Sequence, residues 1–578
     1  MSKTANPQRQ IDNLLHQAVA LQQNAAYAEA EDLYREILAL RPRHFDATQL
    51  LGALALQSGR LDEGIELLKK AVAINGMQAP IHSNLAFAYN ALRHFKEGLA
   101  SANRALALQA DFVDALNNRG NALAGLDMPA EALASFERAL KLRPEFVQAW
   151  NNRACVLRDL GRPSDALASC DQAIALQPTY ADAWSNRANA LSDMNRPQDA
   201  QLSYQRAIEF APALADAWNN LGLTLVDLGQ HEQALRSYER ALALNPDFAE
   251  AHWNESLCLL QMGKLTQGWE KYEWRWQRNR IKAGQRGFAQ PLWLGDFAIE
   301  GKTILLHAEQ GLGDTLQFCR YTAMVAALGA RVLLEVPPEL MRLLASLEGV
   351  AQLIEQGRPL PPFDCHCPLL SLPLAFRTEL ASIPATVPYL FADAQTSQRW
   401  AERIAPDAAD DRHLKVGLVW AGGSRPHVAE LRKNDARRSI TLDALRPILK
   451  VPHVRFYSLQ KGPASQQLTH WPELGEQIVD YTEELADFAD TAALVANLDL
   501  VITVDTAVAH LAGALGKPVW ILNRFDTCWR WMLERQDSPW YPSAQLFRQP
   551  ALGDWDSAIQ SARTALLAHA GRVNQTAR

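Results

Sequence analysis

The sequence predicts a multidomain protein, an all-α array of helix pairs followed by an α/β region in two successive halves. Three observations predict it. Pro144, Pro178, Pro212 and Pro246 recur at a spacing of 34 residues, which marks a repeated structural unit. Further on, an apolar run, Thr303-Ile304-Leu305-Leu306, feeds Gly311-Leu312-Gly313-Asp314 and then a segment of helical periodicity, the signature of strand, tight turn and helix start. The same order returns at Lys415-Val416-Gly417-Leu418-Val419-Trp420, which runs into Ala421-Gly422-Gly423-Ser424.

With Pro42 on the same grid, units start near residues 11, 45, 79, 113, 147, 181, 215 and 249. Trp150, Trp184 and Trp218 take the fourth place of their units. Ala132, Ala166, Ala200 and Ala234 take the twentieth, where Gly64, Gly98 and Gly268 stand in other units. Ala71, Ala105, Ala139, Ala173, Ala207 and Ala241 take the twenty-seventh. Small residues at two fixed places let paired helices approach, and the large ones fill the gap between them. These residues resemble the tetratricopeptide repeat from residue 11 to about 275. The resemblance implies a right-handed superhelix in which each unit buries its apolar face against its neighbours. Arg119, Arg153 and Arg187 depart from it, standing where that family usually has leucine.

The sixth place is a row of asparagines: Asn84, Asn118, Asn152, Asn186, Asn220 and Asn254. A side-chain amide carries donor and acceptor, so such a column can hold the backbone of an extended protein or peptide whatever its sequence. It resembles the asparagine ladder of the O-linked N-acetylglucosamine transferases. The plainer reading is that these amides bond within the scaffold. Asp159, Asp193 and Asp227 form a second row, read as solvated helix ends.

At Trp269 the grid breaks into Trp269-Glu270-Lys271-Tyr272-Glu273-Trp274-Arg275-Trp276. Aromatic side chains bury a large area each, so this segment is expected to dock the repeats against the next domain. The predicted division is a repeat superhelix over 11–276, a linker over 277–301, and α/β halves over 302–395 and 413–570. Strands are expected at 303–306, 331–336, 351–354, 415–420, 454–459, 477–480, 498–504 and 517–522, with a loop-rich piece over 359–389 and a closing helix over 557–567. Strands alternating with helices imply parallel sheets with covered faces. A ligand is expected in the cleft between the carboxyl ends of the two halves.

The second half carries the most informative segment, Val504-Asp505-Thr506-Ala507-Val508-Ala509-His510-Leu511-Ala512-Gly513-Ala514-Leu515-Gly516. It leaves a strand, turns at Asp505-Thr506 and opens a helix of small residues whose first N–H groups suit a diphosphate. His510 is expected near the same mouth, as a ligand contact or a structural histidine.

Gly311-Leu312-Gly313-Asp314-Thr315 and the Asp505–Gly516 motif together resemble the heptosyltransferase-type glycosyltransferases, family 9, which have the GT-B fold of two Rossmann-like halves. A repeat array joined to such a domain is also similar in architecture to the O-linked N-acetylglucosamine transferases. The resemblance implies inverting transfer of a sugar from a nucleotide-sugar donor to an acceptor hydroxyl, without a cofactor or metal. Asp314 matches that family's proposed base, with helix capping as its other role and Glu309 as the substitute base. Gly311 and Gly313 then form the acceptor loop. Arg438 or Lys433, from the basic run after the second glycine turn, is the candidate for holding the departing diphosphate, and Gly422, Gly423 and Ser424 the candidate donor cradle. The acceptor is a protein side chain on the ladder reading, or a glycan or lipid-linked precursor on the heptosyltransferase reading. The alternative is a non-catalytic scaffold whose α/β region binds a nucleotide sugar, or nothing, and docks partners.

Composition removes other classes. A formal charge of −7 and a pI near 6.1 argue against a general binder of nucleic acid or anionic membrane. No stretch approaches the roughly 18 apolar residues of a transmembrane segment, and the polar start lacks a secretory core, so a cytoplasmic location is expected. The 7 cysteines are scattered, as reduced thiols would be. Cys365-His366-Cys367 is a lone Cys-x-Cys without a second pair, which reads as a partly buried loop before a metal site.

Overall fold

The structure is a computed structural model that describes residues 7–278, 286–405, 413–423 and 429–576; for 7, 429–433 and 573–576 it describes the backbone alone. The chain divides into two compact units, Met1–Ala217 and Trp218–Arg578.

The first helices of successive repeats start at Phe45, Ala79, Val113, Val147, Ala181, Ala215 and Ala249, on the 34-residue grid in every case. Ala132, Ala166 and Ala200 of the second helices are fully buried, so each helix pair closes to backbone contact there. Pro129, Pro163 and Pro197 open second helices, where the missing N–H is one the helix would leave unpaired anyway. The prolines of the grid lie in the turns between units. There Trp150 Nε1 donates to the Pro144 carbonyl at 2.7 Å and Trp184 Nε1 to that of Pro178 at 2.8 Å, so the fourth-place tryptophan ties down the turn before it.

The three arginines in place of leucine have a matching residue in the sequence. Arg119, Arg153 and Arg187 each donate from Nη1 to a buried serine sixteen positions on, Ser135 at 2.6 Å, Ser169 at 2.6 Å and Ser203 at 2.8 Å. Those serines donate in turn to carbonyls one helical turn back. The guanidinium edge then reaches Asn103, Glu137 or Asp171 on the preceding unit. A long cation with an apolar stem and a bonded head fills the leucine space while its charge stays at the surface.

In the second unit, β1 (Thr303–His307), β2 (Arg331–Val336), β3 (Val350–Glu355) and β4 (Cys365–Pro368) form a parallel sheet in the order β3-β2-β1-β4. A second parallel sheet has β5 (Leu414–Val419), β6 (Val454–Ser458), β7 (Ile478–Asp480), β8 (Leu500–Val504), β9 (Val519–Asn523) and β10 (Ala544–Arg548) in the order β10-β9-β8-β5-β6-β7. That is the doubly wound order, and the chain reverses direction across the sheet between β1 and β4 in the first half and between β5 and β8 in the second. The α/β expectation holds, with two strands added. β4 lies inside the stretch read as loop, and β10 inside an unassigned tail. Only four residues long and ending in proline, β4 has no periodicity to read; its place comes from pairing with β1. The closing helix is longer than expected, Trp555–Thr576.

Helices Ala249–Gln261 and Leu265–Tyr272 share one core with both halves of the α/β region. Leu260, Leu265, Trp269 and Tyr272 pack with Trp293, Phe318, Tyr321, Trp529 and Trp540. No helix among the described residues is long and apolar enough to cross a membrane.

Candidate active site

The carboxyl ends of β5 and β8 flank the reversal point of the second sheet, and they gather much of the expected donor cradle. After β5, Gly422 lies under the Arg438 side chain: a Cβ at this glycine would stand 2.6 Å from Arg438 Nε, so a larger residue would displace the guanidinium. Arg438 Nη2 donates to Asp435 Oδ1 at 2.7 Å and Nη1 to the Asp505 carbonyl at 3.3 Å, while its buried Nε has no hydrogen-bond partner among the described residues. Gly422, Arg438 and Asp505 are thus one cluster. Gly423 follows, exposed. Thr506 is the extended N-cap residue of helix Ala507–Ala514, its Oγ1 3.0 Å from Thr503 Oγ1. Asp505, Thr506 and Ala507, at the carboxyl end of β8, are half-buried. Asp505 is oriented by Trp531, whose Nε1 donates to its carboxylate at 2.9 Å. Ser424 lies outside the described residues, and of Lys433 only the backbone in helix Ala429–Arg438 is described.

His510 does not stand at the mouth. It is buried in the helix, its Nδ1 3.0 Å from the Tyr541 hydroxyl and its ring stacked on Trp531 at 5.3 Å. Its other face meets the acceptor loop. A Cβ at Gly313 would stand 2.9 Å from His510 Cδ2 and 3.3 Å from Ala507 Cα, so the two glycine-motif helices touch where they begin. The loop expected to face the donor across a cleft therefore packs directly on the donor helix. Burial, reinforced by Arg530, lowers His510 from 6.5 to about 3. The sign follows from linkage: the folded chain holds His510 neutral, so its contribution is present above about 6.5 and is lost as pH falls towards 3. At pH 5 the penalty is about 2 kcal/mol. His510→Gln is expected to flatten the acid side of the stability profile, read as the fall in Tm between pH 7 and pH 5; an unchanged fall would refute the buried neutral state.

In the first half, the loop after β1 carries both carboxylates expected there. Asp314 is not the N-cap residue expected: Gly311 is, and Asp314, third in helix Leu312–Phe318, caps from inside the first turn, its Oδ2 accepting the Gly311 N–H at 3.0 Å. Its Oδ1 pairs with Arg530 of the second half, a residue that sequence reasoning missed. Glu309 is more deeply set. Its Oε1 accepts from Arg275 Nη2 at 2.8 Å, its Oε2 has no hydrogen-bond partner among the described residues, and burial pushes the carboxyl up to about 7 against the pull of Arg275. Arg275 belongs to the aromatic segment that ends the repeats. Its role had no signal beyond that segment's composition, and Trp529-Arg530-Trp531 had none at all.

Cys365 and Cys367 are buried in β4, and His366 Nδ1 lies 3.3 Å from His307 Nε2. Among the described residues no group of three His, Cys, Asp or Glu is placed to hold a metal.

The asparagine row lies on the repeats, and its amides bond to scaffold. Asn118 Nδ2 donates to Ser83 O at 3.0 Å, Asn152 to Asn117 Oδ1 at 3.1 Å, Asn186 to Asn151 Oδ1 at 2.8 Å and Asn254 to Asn219 Oδ1 at 2.9 Å. In each case the sixth place of one unit bonds the fifth place of the unit before it, which fixes their register. Asn84 and Asn220 are half-buried, and Asn220 Oδ1 accepts from Asn219 at 3.1 Å. Asn152→Ala or Asn186→Ala leaves a buried carbonyl oxygen unpaired, at about 1–2 kcal/mol each. Thermal unfolding of the full chain reads that loss, and unchanged stability would show that the row holds nothing together. Of the aspartate row, Asp193 accepts from Arg158 Nε at 2.7 Å, and Asp227 holds Arg437, next to Arg438, at 2.7 and 3.0 Å. The latter is an anchor between repeat and α/β region in place of a solvated helix end.

Comparison with known proteins agrees with this anatomy. Tetratricopeptide repeat models match residues 21–86, 124–181, 169–202 and 215–248. The glycosyltransferase family 9 (heptosyltransferase) model matches 485–523, which holds β8, the Asp505–His510 turn and β9. Protein FlbA of Caulobacter vibrioides is 29% identical over 300 residues, 47% of this chain and 48% of that protein, so the chain spans about half the length of this curated relative. Among solved structures, a tetratricopeptide repeat protein of Parabacteroides merdae is 16% identical over 43% of this chain and 99% of its own, with a TM-score of 0.37. A thermophilic tetratricopeptide repeat protein of Thermus thermophilus is 22% identical over 32% of this chain and 100% of its own, with a TM-score of 0.29. The chain is a tetratricopeptide repeat array followed by an α/β region in which residues 485–523 are similar to the family 9 glycosyltransferases.

Proposed function

We propose that the chain transfers a sugar from a nucleotide-sugar donor to an acceptor hydroxyl by inverting, metal-independent displacement, with the repeats recruiting a protein acceptor or partner. The observation that carries this reading is the cluster at the reversal point of the second sheet, Gly422, Arg438, Asp505 and the start of helix Ala507–Ala514, inside or beside the family 9 segment. A diphosphate over those strand ends would meet the Arg438 guanidinium and the free N–H groups of the helix start, which offset the charge of the leaving group. Asp314 is the reachable carboxylate of the facing loop. It takes the acceptor proton as the acceptor oxygen bonds to the anomeric carbon and the bond from that carbon to the diphosphate oxygen breaks. Arg530 holds Asp314 by Oδ1 and so aims the carboxylate.

The competing reading, a binding scaffold without catalysis, draws on the same loop, since both Asp314 oxygens already have partners. A panel of nucleotide sugars separates the two. An enzyme releases nucleoside diphosphate slowly from its own donor, and that donor raises the melting temperature. Stabilisation by a donor with no release would favour the scaffold, and no stabilisation by any donor would remove the enzyme and leave the scaffold that binds no nucleotide sugar.

A further inference from the structure

The reversal point of the first sheet, between β1 and β4, is filled by the chain itself. Arg275, at the end of the repeats, is fully buried there. Its Nη2 bonds Glu309 at 2.8 Å, just after β1, and Ser371 Oγ at 2.7 Å, just after β4. Its Nη1 bonds Glu273 at 2.5 Å and the Tyr272 carbonyl at 3.3 Å, and the Tyr272 and Trp276 rings flank the guanidinium at 4.9 and 4.6 Å. Ser371 Oγ also donates to Glu273 at 2.9 Å. One residue on, Gln310 Nε2 donates to the Tyr272 hydroxyl at 3.2 Å. The loop from Glu309 to Asp314 is therefore gripped at one end by Arg275 and Tyr272 and at the other by Arg530. None of these three belongs to the first α/β half. The last three residues of the loop open helix Leu312–Phe318 and are capped at Gly311, whereas Glu309 and Gln310, between β1 and that helix, are held by Arg275 and Tyr272.

We infer that Arg275 is a positioning residue for the Glu309–Asp314 loop, so that the last helix of the repeat array is a working part of the site and the α/β region is not catalytically self-sufficient. The proposal rests on the glycosyltransferase reading for its effect on turnover, and on geometry alone for its effect on the loop. A purely structural role for Arg275 would lower stability everywhere in the unit. A positioning role acts first on one loop: the donor side, held by β5 and β8, keeps its affinity while the proton acceptor is misplaced.

The test uses the full chain with Arg275→Lys, which keeps the charge and loses the fork, and with Arg275→Met paired with Glu309→Gln, which leaves no unpaired buried charge at Glu309. Amide hydrogen exchange is measured in peptides covering 305–318 and 498–514, beside steady-state donor turnover. Exchange in the loop peptide is expected to rise about tenfold in both variants, with the 498–514 peptide unchanged. The donor KM is expected to stay within about twofold while kcat falls about thirtyfold, with Arg275→Lys retaining more activity than the paired variant. Loop exchange equal to wild type in the paired variant would overturn the inference, as would a parallel rise in both peptides. If the wild-type chain turns over no donor, the glycosyltransferase reading falls and the exchange result still decides the positioning role.

Discussion

Asp314→Asn is expected to lower the turnover of the donor by about 10²–10⁴-fold with little change in donor KM. The amide keeps the shape of the side chain but only one acceptor oxygen, so it can accept from the Gly311 N–H or from Arg530 and not from both, and some stability is lost with the other contact. What it lacks is the ability to take a proton. The substitution therefore removes proton acceptance while one of the two contacts remains. Donor release and acceptor transfer are measured against the melting temperature of the same preparation. A large loss of rate in a preparation that is still folded at the assay temperature, by its own Tm, supports the assignment. Unchanged rate would move proton acceptance to Glu309, whose oxygen without a hydrogen-bond partner among the described residues and carboxyl raised to about 7 make it the next group to substitute.

Trp269→Ala is expected to cost about 3–5 kcal/mol, the usual range for emptying a buried tryptophan site. Trp269 is 1% exposed, stands edge-on to Trp529 at 5.2 Å and to Tyr272 at 6.0 Å, and donates from Nε1 to the Thr378 carbonyl at 3.0 Å. It belongs at once to the last repeat helix and to the core beneath both α/β halves, so its loss leaves a cavity where three elements meet. Trp269→Phe retains most of the packing and loses the hydrogen bond, at about 1–2 kcal/mol. Urea unfolding followed by tryptophan fluorescence orders the three proteins. An alanine variant as stable as wild type would mean that the repeats do not share this core.

The repeats were legible because their information is periodic. A place in the unit recurs every 34 residues, and each helix start after the first falls on that grid. The serines that accommodate Arg119, Arg153 and Arg187 recur at the same spacing, so their role was readable in principle. The strands that flank the glycine turns were legible as apolar runs with turn residues at their ends. β4 was not, because four residues ending in proline carry no pattern and their place is decided by pairing with β1. The site divides in the same way. Gly422 with Asp505, and Gly311 with Asp314, lie beside strands and could be placed from sequence. Arg275, Arg530 and Tyr541 reach the site from segments with no local motif, 34, 216 and 31 residues from the partners they meet. His510 was read as a mouth residue because its helix start is one. What turns it inward is Tyr541, which nothing local announces.

The central claim is that the strand ends at Gly422 and Thr506 hold the diphosphate of a nucleotide sugar. A crystal structure of the full chain with a nucleoside diphosphate tests it most directly. The account predicts the diphosphate over the start of helix Ala507–Ala514 with Arg438 in contact and Asp314 facing it across the site. A nucleotide seated elsewhere, or on the first half beside Gly311, would contradict it.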